Sequence, residues 1–335
     1  MANIDIVTFR APAMIPCLMN DINAPGNPVI LVPQSFTLAV EKAILVRSST
    51  RGMLGLQIYS PSSLIREINE CAGQGSKKKI TPDGRVMLIS RILLDQEKNL
   101  KFYGRSVHQP GLPQRLAAQI DEFLGANLTP AAIKDKGDTT STRNKLADIA
   151  LIWEKYNEWC DRGYVDNNAD WMDALSRLPE SGILKDAHLI IYGFDNITVN
   201  LRDLILTAQE LTRTITIGLI DDANSPDSAV FISTTNSIKN FLRFYKKAFE
   251  ISLSPRFFHF AWEADPGIKY VEQSLFSLND NLGPSIPDLE AVYMYYGRSS
   301  YQECAYTAQT LINWHRGGIP WSEMGVAVCE ADTLP

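Results

Sequence analysis

Strand-like and helix-like segments alternate through the first hundred residues, and that alternation is the signature of an α/β layer built on parallel strands. Ile4 to Phe9 reads as a strand. Pro28 to Pro33 holds the buried run Val29, Ile30, Leu31 and Val32, followed by a helix-like stretch from Thr37 to Val46. Gly55 to Tyr59 reads as a third strand and runs into Ser60-Pro61, a helix start in which the Ser caps free amides and Pro suits the first helical position. From about Gly84 to Leu178 the pattern changes to four amphipathic helices, roughly Arg85 to Asn99, Pro113 to Leu124, Arg143 to Arg162 and Ala169 to Leu178, with polar loops such as Lys134 to Thr142 between them. Leu116, Ile120, Phe123 and Leu124 share a face of the second, and Leu146, Ile149, Ile152 and Tyr156 share a face of the third.

Strand signals return at Ala187 to Tyr192 and Thr214 to Ile220, with a helix from about Asn200 to Leu211 between them. A basic amphipathic helix follows near Ser237 to Glu250, with Phe241, Phe244, Tyr245 and Ala248 on its apolar face. The expected fold is α/β: a parallel sheet over 1–83 and 181–251, interrupted by an all-helical insertion at 84–180. Ser252 to Leu289, rich in Pro, Asp, Asn and Ser, reads as an irregular connection. The last forty residues predict a strand at Val292 to Tyr296 and a helix with Tyr301, Ala305, Ala308, Ile312 and His315 on one face. A stop at Gly317-Gly318 and a strand at Met324 to Cys329 follow. These elements are too few to close a second sheet, so 290–335 is expected to be the start of a second α/β unit in a longer protein.

Composition narrows the class. With 45% apolar and 21% charged residues the chain suits a soluble globular protein, not a collagen-like, disordered or membrane-spanning one. Its apolar runs fall far below the ~18 residues a membrane helix needs. The opening MANIDIVTFR lacks the basic-then-apolar pattern of a secretion signal, so the cytoplasm is the expected compartment. Five widely spaced cysteines, at 17, 71, 160, 304 and 329, suit reduced thiols better than disulfides or a zinc motif. A net charge of -6 argues against a protein that coats nucleic acid through bulk positive charge. It leaves room for a local basic groove at Lys77, Lys78 and Lys79, or at Lys239, Arg243, Lys246 and Lys247; the competing view of both is a solvated face.

Catalytic templates do not fit. A phosphate-cradling loop needs glycines and a Lys, yet no Gly precedes Gly26 and none of the twenty glycines is followed by Lys. After the first strand stands Arg10-Ala11-Pro12-Ala13-Met14-Ile15-Pro16, where two prolines remove amide donors. No acid to orient Mg stands inside Ile190-Ile191-Tyr192-Gly193-Phe194, and Asp195 beyond it reads as a turn residue. No Lys has Asp or Glu two residues before it, as an acid-x-Lys nuclease requires, so Pro82-Asp83 reads as a turn. There is no G-x-S-x-G, and the histidines at 108, 188, 259 and 315 form no closely spaced metal pair.

What remains is binding. Pro33-Gln34-Ser35-Phe36-Thr37 and Tyr59-Ser60-Pro61-Ser62-Ser63 follow the second and third strands, at the strand ends where open α/β sheets place ligand contacts. Their hydroxyls and amide suit backbone phosphates, and Phe36 or Tyr59 suits base stacking; core packing competes for each aromatic, and simple helix capping for Ser60. Two other classes stay open: a small-molecule α/β enzyme using Asp195, Asp221 and Asp222, and an interaction module presenting the helical insertion.

The order of these segments resembles the N-terminal helicase-like region of the B subunit of bacterial ATP-dependent helicase-nucleases, the AddB/RexB group. Its carriers begin with Ile30-Leu31-Val32-Pro33-Gln34-Ser35-Phe36-Thr37, Glu41-Lys42, Tyr59-Ser60-Pro61-Ser62-Ser63-Leu64 and Gly84-Arg85-Val86-Met87-Leu88-Ile89. Lys145-Leu146-Ala147-Asp148-Ile149 with Tyr156, Tyr192-Gly193-Phe194 with Thr198, and Thr214-Ile215-Thr216-Ile217 ending at Asp221-Asp222 come next. Gln302-Glu303 and Met324-Gly325-Val326-Ala327-Val328 close the series.

The resemblance implies a superfamily 1 fold: a RecA-like domain with a helical insertion, then the start of a second RecA-like domain. It implies a role in processing double-strand DNA breaks for recombinational repair, with DNA and the A subunit as partners and no membrane. By position Gln34 and Thr37 match one DNA-contacting segment, and Ser60 and Ser62, beside Tyr59, match another. Phe9 to Cys17 stands where some members keep a P-loop, and Tyr192 where many have Asp, so ATP hydrolysis is not expected of this region. The family's iron-sulfur cysteines and its Mg-dependent nuclease lie toward the C-terminus, beyond Pro335, so neither cofactor is expected within these residues.

Overall fold

The computed structural model describes residues 2–24, 26–47, 56–72, 78–126, 128–134, 136–165, 167–222, 228–276 and 291–328. In chain order the elements are β1 (Asn3–Phe9), α1 (Met14–Ile22), β2 (Asn27–Leu31), α2 (Thr37–Arg47), β3 (Gln57–Tyr59), α3 (Pro61–Cys71) and β4 (Lys78–Lys79). Next come α4 (Pro82–Gln96), α5 (Leu112–Gly125), α6 (Pro130–Lys134), α7 (Thr140–Cys160), β5 (Tyr164–Val165), α8 (Asn167–Ser181), β6 (Ala187–Tyr192) and α9 (Val199–Ala208). The series ends with β7 (Thr214–Ile220), α10 (Ile232–Phe249), β8 (Arg256–Phe257), α11 (Pro266–Ser274) and α12 (Ser300–Arg316). The chain divides into two compact units, Met1–Trp262 and Glu263–Pro335.

Six strands of the first unit form one sheet in the order β3-β2-β6-β7-β1-β8, every neighbour parallel. Because side chains alternate along a strand, Val7, Phe9, Ile30, Val32, Ile190 and Tyr192 face α1 and α2, while Ile4, Ile6, Val29, Leu31, Leu189 and Ile191 face the layer of α3, α8, α9 and α10. Cover on both faces is what lets β6 be buried at all six positions.

Helices α4, α5, α6 and α7 bury a separate core against one another, built on Ile89, Leu93, Leu116, Ile120, Ile133, Trp153 and Tyr156. Asp148 locks the chain after α4 onto this core: its carboxylate, 2% exposed, accepts backbone N–H groups from Lys101 (2.9 Å), Phe102 (2.7 Å) and Tyr103 (2.9 Å). Helix α8 packs on α3, and its Trp171, Ala174, Leu175 and Leu178 join the core of the sheet. Among the described residues no helix is long and apolar enough to cross a membrane.

Several local expectations change. Pro82-Asp83 is not a turn but the start of α4, because Thr81 Oγ1 accepts the Gly84 N–H at 3.1 Å and caps the helix. The segment Lys134 to Thr142 is not all loop, since α6 reaches Lys134 and Thr139 caps α7. The inner face of α10 is Ile238, Phe241 and Tyr245; Phe244 and Ala248 are exposed, and Phe244 lies under the Arg202 guanidinium at 4.5 Å. Within Ser252 to Leu289, β8 extends the sheet and α11 forms, while 277–290 lie outside the described residues.

In the second unit, Val292–Tyr296 and Met324–Val328 are not strands, because alternation alone makes no ladder without a partner strand, and no partner stands among the described residues of this unit. Cys329 lies outside the described residues. Helix α12 forms as expected and buries no residue fully; Tyr306 stacks on Tyr295 at 3.8 Å, and His315 at the helix end stacks on Trp321 at 4.4 Å.

Candidate nucleic-acid interface

A parallel sheet offers ligands its C-terminal edge, above all where successive connections leave toward opposite faces. One such point lies between β1 and β7, since α1 follows β1 onto one face and α10 follows β7 onto the other; connections part in the same way between β2 and β3, where α2 and α3 take opposite faces. The chain leaves β1 through Arg10 into a tight 3-10 turn, Ala11–Ala13, that leads straight into α1. Pro12 and Pro16 donate no amide there. Arg10 Nη1 lies 3.5 Å from Asp222 Oδ2, and its guanidinium stands 5.3 Å from the Phe231 ring. Asp221 is buried and accepts a 2.6 Å hydrogen bond from Thr235 Oγ1; burial pushes its carboxyl above the ordinary range. Asp195 is exposed, and its carbonyl accepts the Thr234 hydroxyl at 3.3 Å.

Tyr192, at the end of β6, fills the space beneath α1. Its ring stacks on Phe9 at 5.4 Å and lies flat over Gly218, where a Cβ would collide with the ring. Its hydroxyl donates to the buried Asp21 carboxylate, which leaves the Cys17 thiol, 3.1 Å away, to donate to the phenol oxygen. Arg256 Nη2 approaches Asp21 Oδ1 at 3.6 Å and its Nε donates to Asp5 at 2.8 Å, so the edge strand β8 is tied to α1 and β1. Burial pushes Asp21 and Tyr192 up, and raises the Cys17 thiol to about 11. Cys17 and Asp21, one turn apart on α1, and Arg256 carry no signal in the sequence pattern, because Tyr192 and Arg256 stand far from α1 in the chain and only the fold brings them to it.

The ends of β2 and β3 are built differently. Leu31 pairs with Tyr59, so the segments that follow emerge side by side. Ser60 and Ser63 form a reciprocal cap on α3: Ser63 N–H donates to Ser60 Oγ (3.3 Å) and Ser60 N–H to Ser63 Oγ (2.8 Å). Ser62 Oγ lies 3.1 Å from Ser60 Oγ and donates to Gln34 Oε1 at 3.5 Å. The fold thus brings Gln34, Ser60 and Ser62 into one polar group, with Gln34 and Ser62 exposed and Ser60 buried.

Thr37 opens α2, and its Oγ1 is enclosed without a hydrogen-bond partner. Tyr59 is half-buried against the core beneath α3, and burial raises its phenol; Phe36 packs on the opposite core, beside Gly193, whose φ of +78° holds the turn after β6. Both aromatics therefore serve packing. Lys77 lies outside the described residues and Lys78 and Lys79 form β4, whereas Lys239, Arg243, Lys246 and Lys247 are exposed on α10. Cys17, Cys71, Cys160 and Cys304 are not joined in disulfides. Among the described residues no three His, Cys, Asp or Glu side chains converge as a metal-ligand set.

Six parallel strands with helices on both faces, and connections parting at the β1/β7 edge, define an α/β protein of RecA-like type. Within that class the chain belongs to the family described as ADDB, N-terminal, whose model matches residues 18–258. It is 26% identical over 262 residues to the B subunit of the ATP-dependent helicase/deoxyribonuclease of Staphylococcus aureus strain MRSA252, covering 76% of this chain and 22% of that protein. Identity to the proteins of the same description from strains Newman and JH9 is 25% over 262 residues, covering 22% and 23% of their lengths. The chain therefore spans less than a quarter of these relatives.

Proposed function

We propose that this chain is the helicase-like, DNA-binding and scaffolding region of the B subunit of a helicase-nuclease that processes double-strand DNA breaks for recombinational repair. Its partners are DNA and an A subunit that supplies the motor, and it works in the cytoplasm. Residues 1–83 and 181–251 serve as the RecA-like domain, with α8 packed into its core, and the rest of 84–180 as a helical insertion. Beyond β8, which completes the sheet, the remainder of 252–289 connects them to 290–335, the start of a second RecA-like domain.

The observation that carries this reading is the contrast along the sheet's C-terminal edge: Gln34 and Ser62 stand exposed and joined, while the turn after β1 carries Pro12 and Pro16 and the polar groups around it are paired with one another. A phosphate loop and a Mg-orienting acid do not fit the residues present, because Pro12 and Pro16 withhold amides and the Tyr192 hydroxyl is spent on Asp21. In this proposal the iron-sulfur cluster and Mg belong to the nuclease part of the longer protein. Addition of Mg-ATP is expected to leave the melting temperature unchanged and to give no steady hydrolysis. A rise of several degrees with turnover would sink the proposal. A labelled single-stranded 20-mer is expected to bind weakly, with log K falling as log salt rises through counterion release. Unchanged anisotropy at low salt, even with the A subunit added, counts against it.

A further inference from the structure

Helix α10 carries Lys239, Arg243, Lys246 and Lys247 and not one acid, in a chain whose net charge is -6. At 100° per residue the four fall within an arc of about 100°. That arc faces away from the buried Ile238, Phe241 and Tyr245. Among the described residues none of the four forms an ion pair; Arg243 reaches only Asn240 Oδ1, at 3.4 Å. Lys239, Arg243 and Lys246 instead line a cavity of about 280 Å³ with Leu242, Ser252 and Leu253. Like charges gathered on one helix face repel each other, and an anionic occupant removes that repulsion.

We propose that this face of α10 binds the phosphodiester backbone of DNA, as a second contact separate from Gln34 and Ser62. The proposal rests on the DNA-binding reading above. From Lys239 to Lys247 the helix advances about 12 Å at 1.5 Å per residue. Successive phosphates of one strand rise only ~3.4 Å along the duplex axis but lie roughly 7 Å apart along the winding backbone, so a straight stretch of this length meets about two of them. Leu242 and Leu253 add apolar lining, which lowers the local dielectric and strengthens each contact. Ser252 adds a hydroxyl donor. Nothing in such a surface reads bases, so the contact is expected to be independent of sequence.

The test is anisotropy of labelled duplex and single-stranded DNA across a salt series, using the whole chain and the triple variant Lys239→Ala, Arg243→Ala, Lys246→Ala. These side chains are exposed, and far-UV circular dichroism checks that the variant folds. The triple variant is expected to bind roughly tenfold weaker or worse at ~50 mM salt, with a salt slope shallower by about two to three. The variant Lys239→Arg, Lys246→Arg is expected to bind as the parent does. If the parent binds DNA and the triple variant matches it in affinity and slope, this inference falls while the DNA-binding reading stands. If the parent binds no DNA at all, both fall. Poly-glutamate binding tighter than DNA, and lost in the triple variant, overturns the inference in favour of an acidic protein partner.

Discussion

The two halves of the sheet's C-terminal edge start from the same architecture and end with opposite surfaces. At β1, β6 and β7 the polar groups are consumed by one another: Arg10 with Asp222, Asp221 with Thr235, Tyr192 with Asp21 and Cys17. At β2 and β3 the hydrogen bonds are local, and they hold Gln34 and Ser62 out toward solvent. Position at a switch point is thus only an opportunity for a ligand. Side-chain volume and pairing decide whether it stays open.

The largest effect is expected where the closed half depends on one ring. Tyr192→Ala removes a fully buried aromatic together with the hydroxyl that donates to Asp21, and is expected to cost about 3–5 kcal/mol in chemical denaturation. Gly218→Ala forces a methyl into the same ring and is expected to cost about 1–3 kcal/mol. Combined, the two should be clearly less than additive, since the ring that the new methyl would strike is gone. Additive losses would mean that the closed half is not organised around Tyr192.

A pH effect separates the buried sheet from its edge. Burial lowers the pKa of His188, whose Nε2 lies 2.8 Å from Thr216 Oγ1 between β6 and β7. The unfolded chain takes up this proton near pH ~6.5 and the folded chain only at lower pH, so stability falls as pH drops below about 6.5. Asp21 acts in the opposite sense nearer the carboxylate range, because its raised pKa favours proton uptake by the folded state. His188→Gln is expected to flatten the stability profile between about pH 7 and 5. An unchanged slope there would assign the loss to another group.

The open half should respond more mildly. Ser60→Ala removes the cap of α3 and is expected to cost about 1 kcal/mol, read as a lower melting temperature. Ser62→Ala, at an exposed site, is expected to change stability by less than about 0.5 kcal/mol while weakening binding of the 20-mer a few-fold. A large stability loss at Ser62 with unchanged DNA affinity would make this half structural, like its neighbour.

The strands Ala187–Tyr192 and Thr214–Ile220 fall where the pattern puts them, the first as a short apolar run broken only by His188 and the second as an alternation of Thr with Ile, each closed by turn residues. Gln34, Ser60 and Ser62 could be grouped from sequence for a related reason: each directly follows a strand, and neighbouring parallel strands deliver their ends side by side. Tyr192, Asp21 and Cys17 could not, since they meet only once α1 folds back over the sheet. Residue Asp148 was visible only as part of a family pattern; its three backbone partners lie more than forty residues earlier. Val292–Tyr296 shows the reverse failure, an alternating pattern without a ladder. The pair Arg256–Phe257 leaves no pattern in the sequence, because a two-residue strand at a sheet edge has almost no period to read.

Arg256 has a practical consequence for dissecting the chain. It is the last residue whose side chain reaches back to Asp5 and Asp21, and the family match ends two positions later, at residue 258. A truncation before Arg256 would uncover the outer edge of β1 and leave a buried carboxylate without its cation. One placed after Trp262 would retain both, which marks 1–262 as a piece expected to behave as a self-sufficient folding domain.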